Sequence, residues 1–381
     1  MGCKASIGLF GIVCLLLASC THQTQTHASQ CDPDGAPETC RPFRTGFIKI
    51  DPELDAIKPL GSIDESGWSL AGSYLLGSPR KEWVAAYDLK NKKYAWWFPA
   101  KADLTAPVGV FGSWAILPLR DGRLVKVESQ SGKVLWDVRL SRFLATRISL
   151  AGSSLLAYTV DQKLFSLDFQ TGQTQWVFDA GTPSSLTMRS AAAPVASGNE
   201  VFLGNSDGQL FSISLASGKE NWKIEVGKDD SRYRDIVGEI AVGNRQVYVT
   251  RLDGQVFAYG TVQKPSDALW QESYPTITAS AYRDGTLYLA SVNGDVSALQ
   301  ASNGRVLWKV GLGQAVKSIT LGEKSIFLGG SEGRITALNN TDGRILWYDD
   351  LKGVLTQQPV VIDDQIYYST GLKVIYSYKL F

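Results

Sequence analysis

One phrase, returning about every 40 residues, restricts this chain more than anything else in it. Asp121-Gly-Arg-Leu-Val-Lys-Val, followed by Gly132-Lys-Val-Leu-Trp136, comes back as Asp207-Gly-Gln-Leu-Phe-Ser-Ile with Gly218-Lys-Glu-Asn-Trp222. It comes back again from Asn293 to Trp308 and from Glu332 to Trp347; weaker copies end at Trp176 and Trp270, and a degenerate first copy ends at Trp97. The tryptophans are 39, 40, 46, 48, 38 and 39 residues apart. From the turn position (Gly122, Gln162, Gly208, Gly254, Gly294, Gly333) to its tryptophan the count is 14, 14, 14, 16, 14 and 14. Chance does not hold such spacing, and a period of this length marks a repeat architecture.

Each copy has a local physical meaning. Asp-Gly, Asn-Gly or Glu-Gly between two alternating apolar runs is a hairpin turn, the glycine taking the positive φ the turn demands. The second glycine, as in Ser131-Gly132 or Asp342-Gly343, makes the next turn, and the tryptophan starts a further strand. With an upstream strand such as Ala106–Phe111 or Gln358–Ile362, each unit is four short antiparallel strands. Such units are propeller blades, which bury their faces only against neighbours. The tryptophan is therefore expected to pack between blades rather than to stack on a ligand.

The ends of the repeat region predict how the ring closes. After Trp347 three strand-like runs remain, 358–362, 365–370 and 374–380, while Gly46–Ile50 is an isolated strand before the first blade. An N-terminal strand completing the last blade accounts for both. The prediction is an all-β domain over residues 45–381, an eight-bladed propeller of four-stranded antiparallel blades; seven blades with a spare strand is the alternative.

Upstream, Lys4 and the apolar run Ala5–Leu17 are too short to span a bilayer, which takes about 20 residues, and read as a signal peptide over 1–19. Leu17-Ala18-Ser19-Cys20 resembles a bacterial lipobox, which makes Cys20 the lipidated first residue of the mature chain. Thr21 rather than aspartate follows it, so by resemblance to the lipoprotein sorting rule the expected address is the periplasmic face of the outer membrane. Residues 20–44 read as a polar tether. Within it Cys31 and Cys40 bracket a short loop, and in an oxidising compartment a disulfide is the natural pairing.

Several function classes lack their chemistry. The two histidines, His22 and His27, lie in the tether, so the repeat region holds no Ser-His-Asp or Cys-His machinery and no histidine-ligated metal. No phosphate loop, dinucleotide fingerprint or nucleophile elbow occurs. With 38 basic and 37 acidic residues there is no basic excess for nucleic acid. Asp349-Asp350 and Asp363-Asp364 read as solvated turns. No catalytic residue, metal or cofactor is expected.

The repeat phrase is similar to that of pyrroloquinoline-quinone-type propellers, which include quinoprotein dehydrogenases. Those enzymes carry adjacent cysteines and a calcium site, whereas Cys31 and Cys40 are neither adjacent nor in the repeats. Lipobox, tether, eight blades and overall size together resemble the BamB family of lipoproteins of the outer-membrane barrel assembly machinery. Two segments outside the repeat sharpen the resemblance. Pro183-Ser-Ser-Leu186-Thr-Met188-Arg189 is similar to the family's connection between the third and fourth blades, and Ser231-Arg232-Tyr-Arg234-Asp235-Ile-Val237 to the following connection. By that resemblance Leu186, Met188, Arg189 and Asp235 contact the barrel-forming subunit through its periplasmic domains. Met188 stands for a second leucine. Val237 stands where a second aspartate is expected, with Glu239 the candidate substitute. The resemblance implies a non-catalytic scaffold, anchored to the membrane through Cys20, that aids insertion of outer-membrane proteins and meets their unfolded precursors.

Spacing singles out the same two connections independently. From each tryptophan to the next turn position the count is 25, 26, 32, 32, 24 and 25, so only these two intervals are expanded. Two other classes stay open: a quinone- or calcium-binding enzyme, and a glycan-binding propeller with an exposed aromatic cluster, for which Trp68, Trp83 and Trp114 are the candidates.

Overall fold

A computed structural model describes residues 44–49, 68–182, 191–227, 234–355, 358–362, 365–370 and 374–379 of the 381-residue chain. The described strands, numbered β1 to β32 in chain order, form eight separate four-stranded antiparallel sheets. Seven are consecutive meanders, beginning with β2 (Trp68–Ala71) to β5 (Lys93–Pro99), and ending with β26 (Val316–Leu321) to β29 (Ile345–Asp350). The eighth runs β30 (Val360–Ile362), β31 (Gln365–Ser369), β32 (Val374–Lys379) and then β1 (Arg44–Lys49). The N-terminal strand thus closes the ring from Lys49 opposite Val374 to Arg44 opposite Tyr378. This is the eight-bladed propeller that the repeat predicts.

Burial changes from the axis outward. The third strand of a blade has neighbours on both sides and both faces, and it is an almost unbroken apolar run. β8 (Arg123–Glu128), β12 (Lys163–Asp168) and β16 (Gln209–Ser214) each bury their four central residues. The outer strands β9 (Val134–Arg139), β13 (Thr174–Asp179) and β17 (Glu220–Glu225) bury only their tryptophan, the third residue rather than the first. That residue faces the next blade. Indole N–H groups donate across the seam from Trp96 to the Ser129 carbonyl, Trp136 to Phe169, Trp176 to Leu215, Trp270 to Ala301 and Trp308 to Asn340, at 2.8–3.2 Å. The second glycine of the phrase closes on the same ring: a Cβ at Gly132 would lie 2.6 Å from Trp96, and one at Gly218 2.6 Å from Trp176. The repeated tryptophan is therefore a core residue, as predicted.

Two sequence assignments need correcting. In blade 1 the repeat residue is Trp96, opposite Ala86 and bonded to Ser129, whereas Trp97 is opposite Ala85 and 39 % exposed. The register shift that accompanies the repeat tryptophan in blades 2 to 4 falls here between Ala86 and Tyr87, next to Trp96, which identifies Trp96 as the repeat residue. The pair Asp349-Asp350 is the end of β29, not a turn: Asp350 holds Arg334 at 2.6 and 2.9 Å, while Asp349 accepts the Tyr378 hydroxyl at 2.8 Å. The Asp363-Asp364 pair lies outside the described residues.

Candidate docking face between blades 3, 4 and 5

Blade 3 runs from β10 (Ser149–Ala151) to β13, blade 4 from β14 (Val195–Ser197) to β17, and blade 5 from β18 (Ile236–Gly243) to β21 (Trp270–Ser273). The two expanded intervals are the connections from β13 to β14 and from β17 to β18. Leu186, Met188 and Arg189 lie outside the described residues, as do Cys20, Cys31 and Cys40. What is described is how the ring holds the ends of both connections.

The first connection starts at Ala180 and Gly181, held by side chains from two blades. Gln162 occupies the hairpin position that is glycine in blades 2 and 4 to 7 and adopts φ +59. Its side chain is buried, donates to the Gly181 carbonyl at 3.0 Å and accepts from Ser206 of blade 4. Asn205, 1 % exposed, donates to the Ala180 carbonyl at 3.1 Å while its own oxygen caps the turn through the N–H groups of Asp207 and Gln209. Buried amides with partners at both ends are rigid fixings, because leaving one unpaired costs about 1–3 kcal/mol.

The second connection ends on the same residue. The Ile236 N–H donates to the Asn205 carbonyl at 3.2 Å, and Arg234 crosses the blade 4 turn, where a Cβ at Gly208 would meet its backbone oxygen at 2.9 Å. Asp235 is 3 % exposed and its carbonyl accepts the Leu252 N–H at 2.9 Å. At that depth its carboxylate presents at most an edge to a partner. Val237 is 4 % exposed, and its carbonyl accepts the Thr250 hydroxyl at 2.6 Å.

Beyond Val237 the strand bulges. The register against β19 (Gln246–Arg251) breaks between Val237 and Ala241, and Gly238 turns through φ +73. Bulges re-aim side chains. Here the result is that Glu239 pairs in parallel with Ala193, the residue at the end of the first connection. The carboxylate of Glu239 accepts from Arg147 Nη1 at 2.7 Å and from Gln358 Nε2 at 3.0 Å, so it is engaged within the ring.

Elsewhere the chemistry is structural. Trp68, Trp83 and Trp114 sit on three different strands: Trp68 is buried against Ile375, Trp83 stacks with Arg80 at 5.0 Å, and Trp114 lies over Lys126. The three do not form one cluster; Trp83 packs edge-on against the exposed Trp97 instead, with ring centroids 6.2 Å apart. A cavity of about 780 Å³ opens between blades 4 and 5, but its ionic side chains, Lys223, Glu225, Lys264 and Asp267, are all exposed. Among the described residues no three histidine, cysteine or carboxylate side chains gather as a metal site.

A ring of eight such blades with this repeat defines a propeller of the pyrroloquinoline-quinone-repeat class. The profile of the family described as outer membrane protein assembly factor BamB matches residues 80–310 and 267–375, and the chain belongs to that family. BamB of Francisella salina is 27 % identical over 93 residues, which is 24 % of this chain and 16 % of that relative's length. The crystal structure of BamB from Moraxella catarrhalis superposes with a TM-score of 0.73 at 21 % identity, covering 88 % of this chain and 99 % of that one. The fold alone is also shared with a designed protein, Ika8 (TM-score 0.69, 14 % identity, 83 % and 96 % covered), and with a europium-containing methanol dehydrogenase (0.65, 12 %, 82 % and 90 %).

Proposed function

We propose that this protein is a non-catalytic scaffold of the outer-membrane barrel assembly machinery. It docks periplasmic domains of the barrel-forming subunit on the face between blades 3, 4 and 5. A lipid on Cys20 holds it at the periplasmic side of the outer membrane, and the barrel precursor is presented to the machine in the arrangement this scaffold sets. The observation that carries the reading is the pair of expanded connections whose ends are fastened to one another through Asn205 and the Ala193–Glu239 bridge. Rigid scaffolds place variable connections where contacts are made. The apolar–arginine composition of Leu186, Met188 and Arg189 is that of an interface hot spot. Asp235, being buried, serves this face by holding the second connection.

The test is a pull-down from detergent-solubilised envelopes with tagged wild type and Arg189→Glu, both first shown to be folded. Recovery of an outer-membrane barrel protein with periplasmic repeat domains by the wild type and not by the variant is the expected result. Recovery by both moves the contact elsewhere; recovery by neither removes the scaffold reading.

A further inference from the structure

The ring contains one contact that joins three non-adjacent blades. Arg147 precedes the inner strand of blade 3, Glu239 lies on the inner strand of blade 5, and Gln358 precedes the inner strand of blade 8. Arg147 Nη1 is 2.7 Å from Glu239 Oε1 and 3.1 Å from Gln358 Oε1, and Gln358 Nε2 donates to the same Glu239 oxygen at 3.0 Å. The three side chains make a closed triangle across the propeller axis. An isolated surface ion pair holds little. This one is a three-member network, charge-assisted on two sides, and each member comes from a different wall of the channel.

Its position is what gives it a role. Glu239 lies four residues after Asp235, in the bulge that also bridges Ala193, so the ends of both expanded connections converge on it. Its backbone is held as well, since its carbonyl accepts the Ser280 hydroxyl of blade 6 at 3.0 Å. Pulling the Glu239 carboxylate away from Arg147 and Gln358 would release the bulge, and with it the ends of both connections. The blade 3 to 4 seam is tied separately by Ser149 donating to the Pro194 carbonyl at 3.0 Å.

We infer that the Arg147–Glu239–Gln358 triangle is a positioning device: a brace across the channel that sets the two docking connections relative to each other. The inference rests on the docking reading above. The brace acts through Ala193 and residues 234–239.

The test uses the full mature protein with Glu239→Ala, Arg147→Met and the exchange Arg147→Glu/Glu239→Arg. The Gln358 amide can turn over, so the exchanged pair keeps all three bonds. Hydrogen exchange by mass spectrometry reads the brace without any partner. Amides in 191–195 and 234–240 should exchange at least tenfold faster in Glu239→Ala and Arg147→Met, return to the wild-type rate in the exchange variant, and stay unchanged in blades 1, 2 and 7. Affinity for the purified periplasmic portion of the barrel-forming subunit should fall at least tenfold in the single variants and recover in the exchange. Should Glu239→Ala fail to fold, Arg147→Met decides, because its side chain is half exposed. Unchanged exchange at those segments, or no rescue, overturns the brace. Exchange behaving as expected while the wild type binds no barrel subunit overturns the docking reading and leaves the brace standing.

Discussion

Replacing Gly218 by alanine tests whether the seams are as tightly closed as the geometry says. Gly218 makes the turn before β17 at φ +68, a region in which an L side chain costs about 1–2 kcal/mol. Its new methyl would also meet the Trp176 indole, with three ring carbons within 2.6–2.7 Å. Carbon atoms attract at about 3.5–4.0 Å, so the ring must retreat by about 1 Å. Trp176 is 9 % exposed and its Nε1 is tied to the Leu215 carbonyl at 2.8 Å, so it has nowhere to go without breaking that bond. Overpacking of this kind costs a further amount of about 1–3 kcal/mol. Gly198, in the same blade, is the control: φ is +58 and a Cβ would have nothing within 4 Å. Gly198→Ala should therefore lose about 1–2 kcal/mol and Gly218→Ala about 2–5 kcal/mol in guanidinium unfolding followed by circular dichroism, with unchanged m-values. In a Trp176→Leu background the gap between the two should shrink. If the two alanine variants agree within about 0.5 kcal/mol, the indole does not close the seam and the packing argument fails.

Two further perturbations probe positions where the repeat is broken. Lys126 replaces the serine or alanine found at this place in other blades; it is 1 % exposed, donates to the Phe169 carbonyl at 2.7 Å, and burial pushes its amine below the ordinary lysine range. The folded chain then holds that proton less tightly than the unfolded chain, so stability should rise with pH from the lowered value up to the ordinary one near 10.5. Lys126→Met should remove that rise when unfolding free energies of the two proteins are compared across the alkaline range. Trp222 is a seam indole whose buried N–H meets no acceptor among the described residues, so Trp222→Phe should cost about 1 kcal/mol less than Trp176→Phe, which strands the Leu215 carbonyl; equal losses in denaturant unfolding would refute this.

Trp222 also shows where the repeat stops being readable. Every ingredient of the ring was legible because turn and core chemistry are local: Asp-Gly at the hairpin, glycine under the indole, a tryptophan 14 residues on. The copy with a count of 16 looked merely loose. It is in fact the blade in which the register shift next to the tryptophan is absent and residues 261–269 replace the tight turn, and it is the blade that Trp222 faces. Blade 1 failed in the opposite way, with two adjacent tryptophans that only strand register could tell apart. At the docking face, interval lengths picked out the two connections. The amides that fasten them were not visible, because Asn205 and Gln162 resemble ordinary turn residues. A small signal existed in Gln162, the one position in the turn series without glycine. Arg147 and Gln358 are 211 residues apart and carry no motif. Only closure of the ring makes them neighbours.

The composite eighth blade has a consequence for how the molecule is made. In chain order β1 comes first and its three partner strands follow only after the seven intervening blades, so Arg44 must wait for Tyr378. Until then β1 is a strand without a partner, the kind of edge that recruits other strands. Closing the ring joins the ends of the chain rather than neighbours in it, and contacts of such long sequence separation form late and slowly. The brace across the channel cannot form any earlier, since Gln358 belongs to that same final blade. If the brace works as inferred, blades 3 to 5 gain it only once the eighth blade has formed.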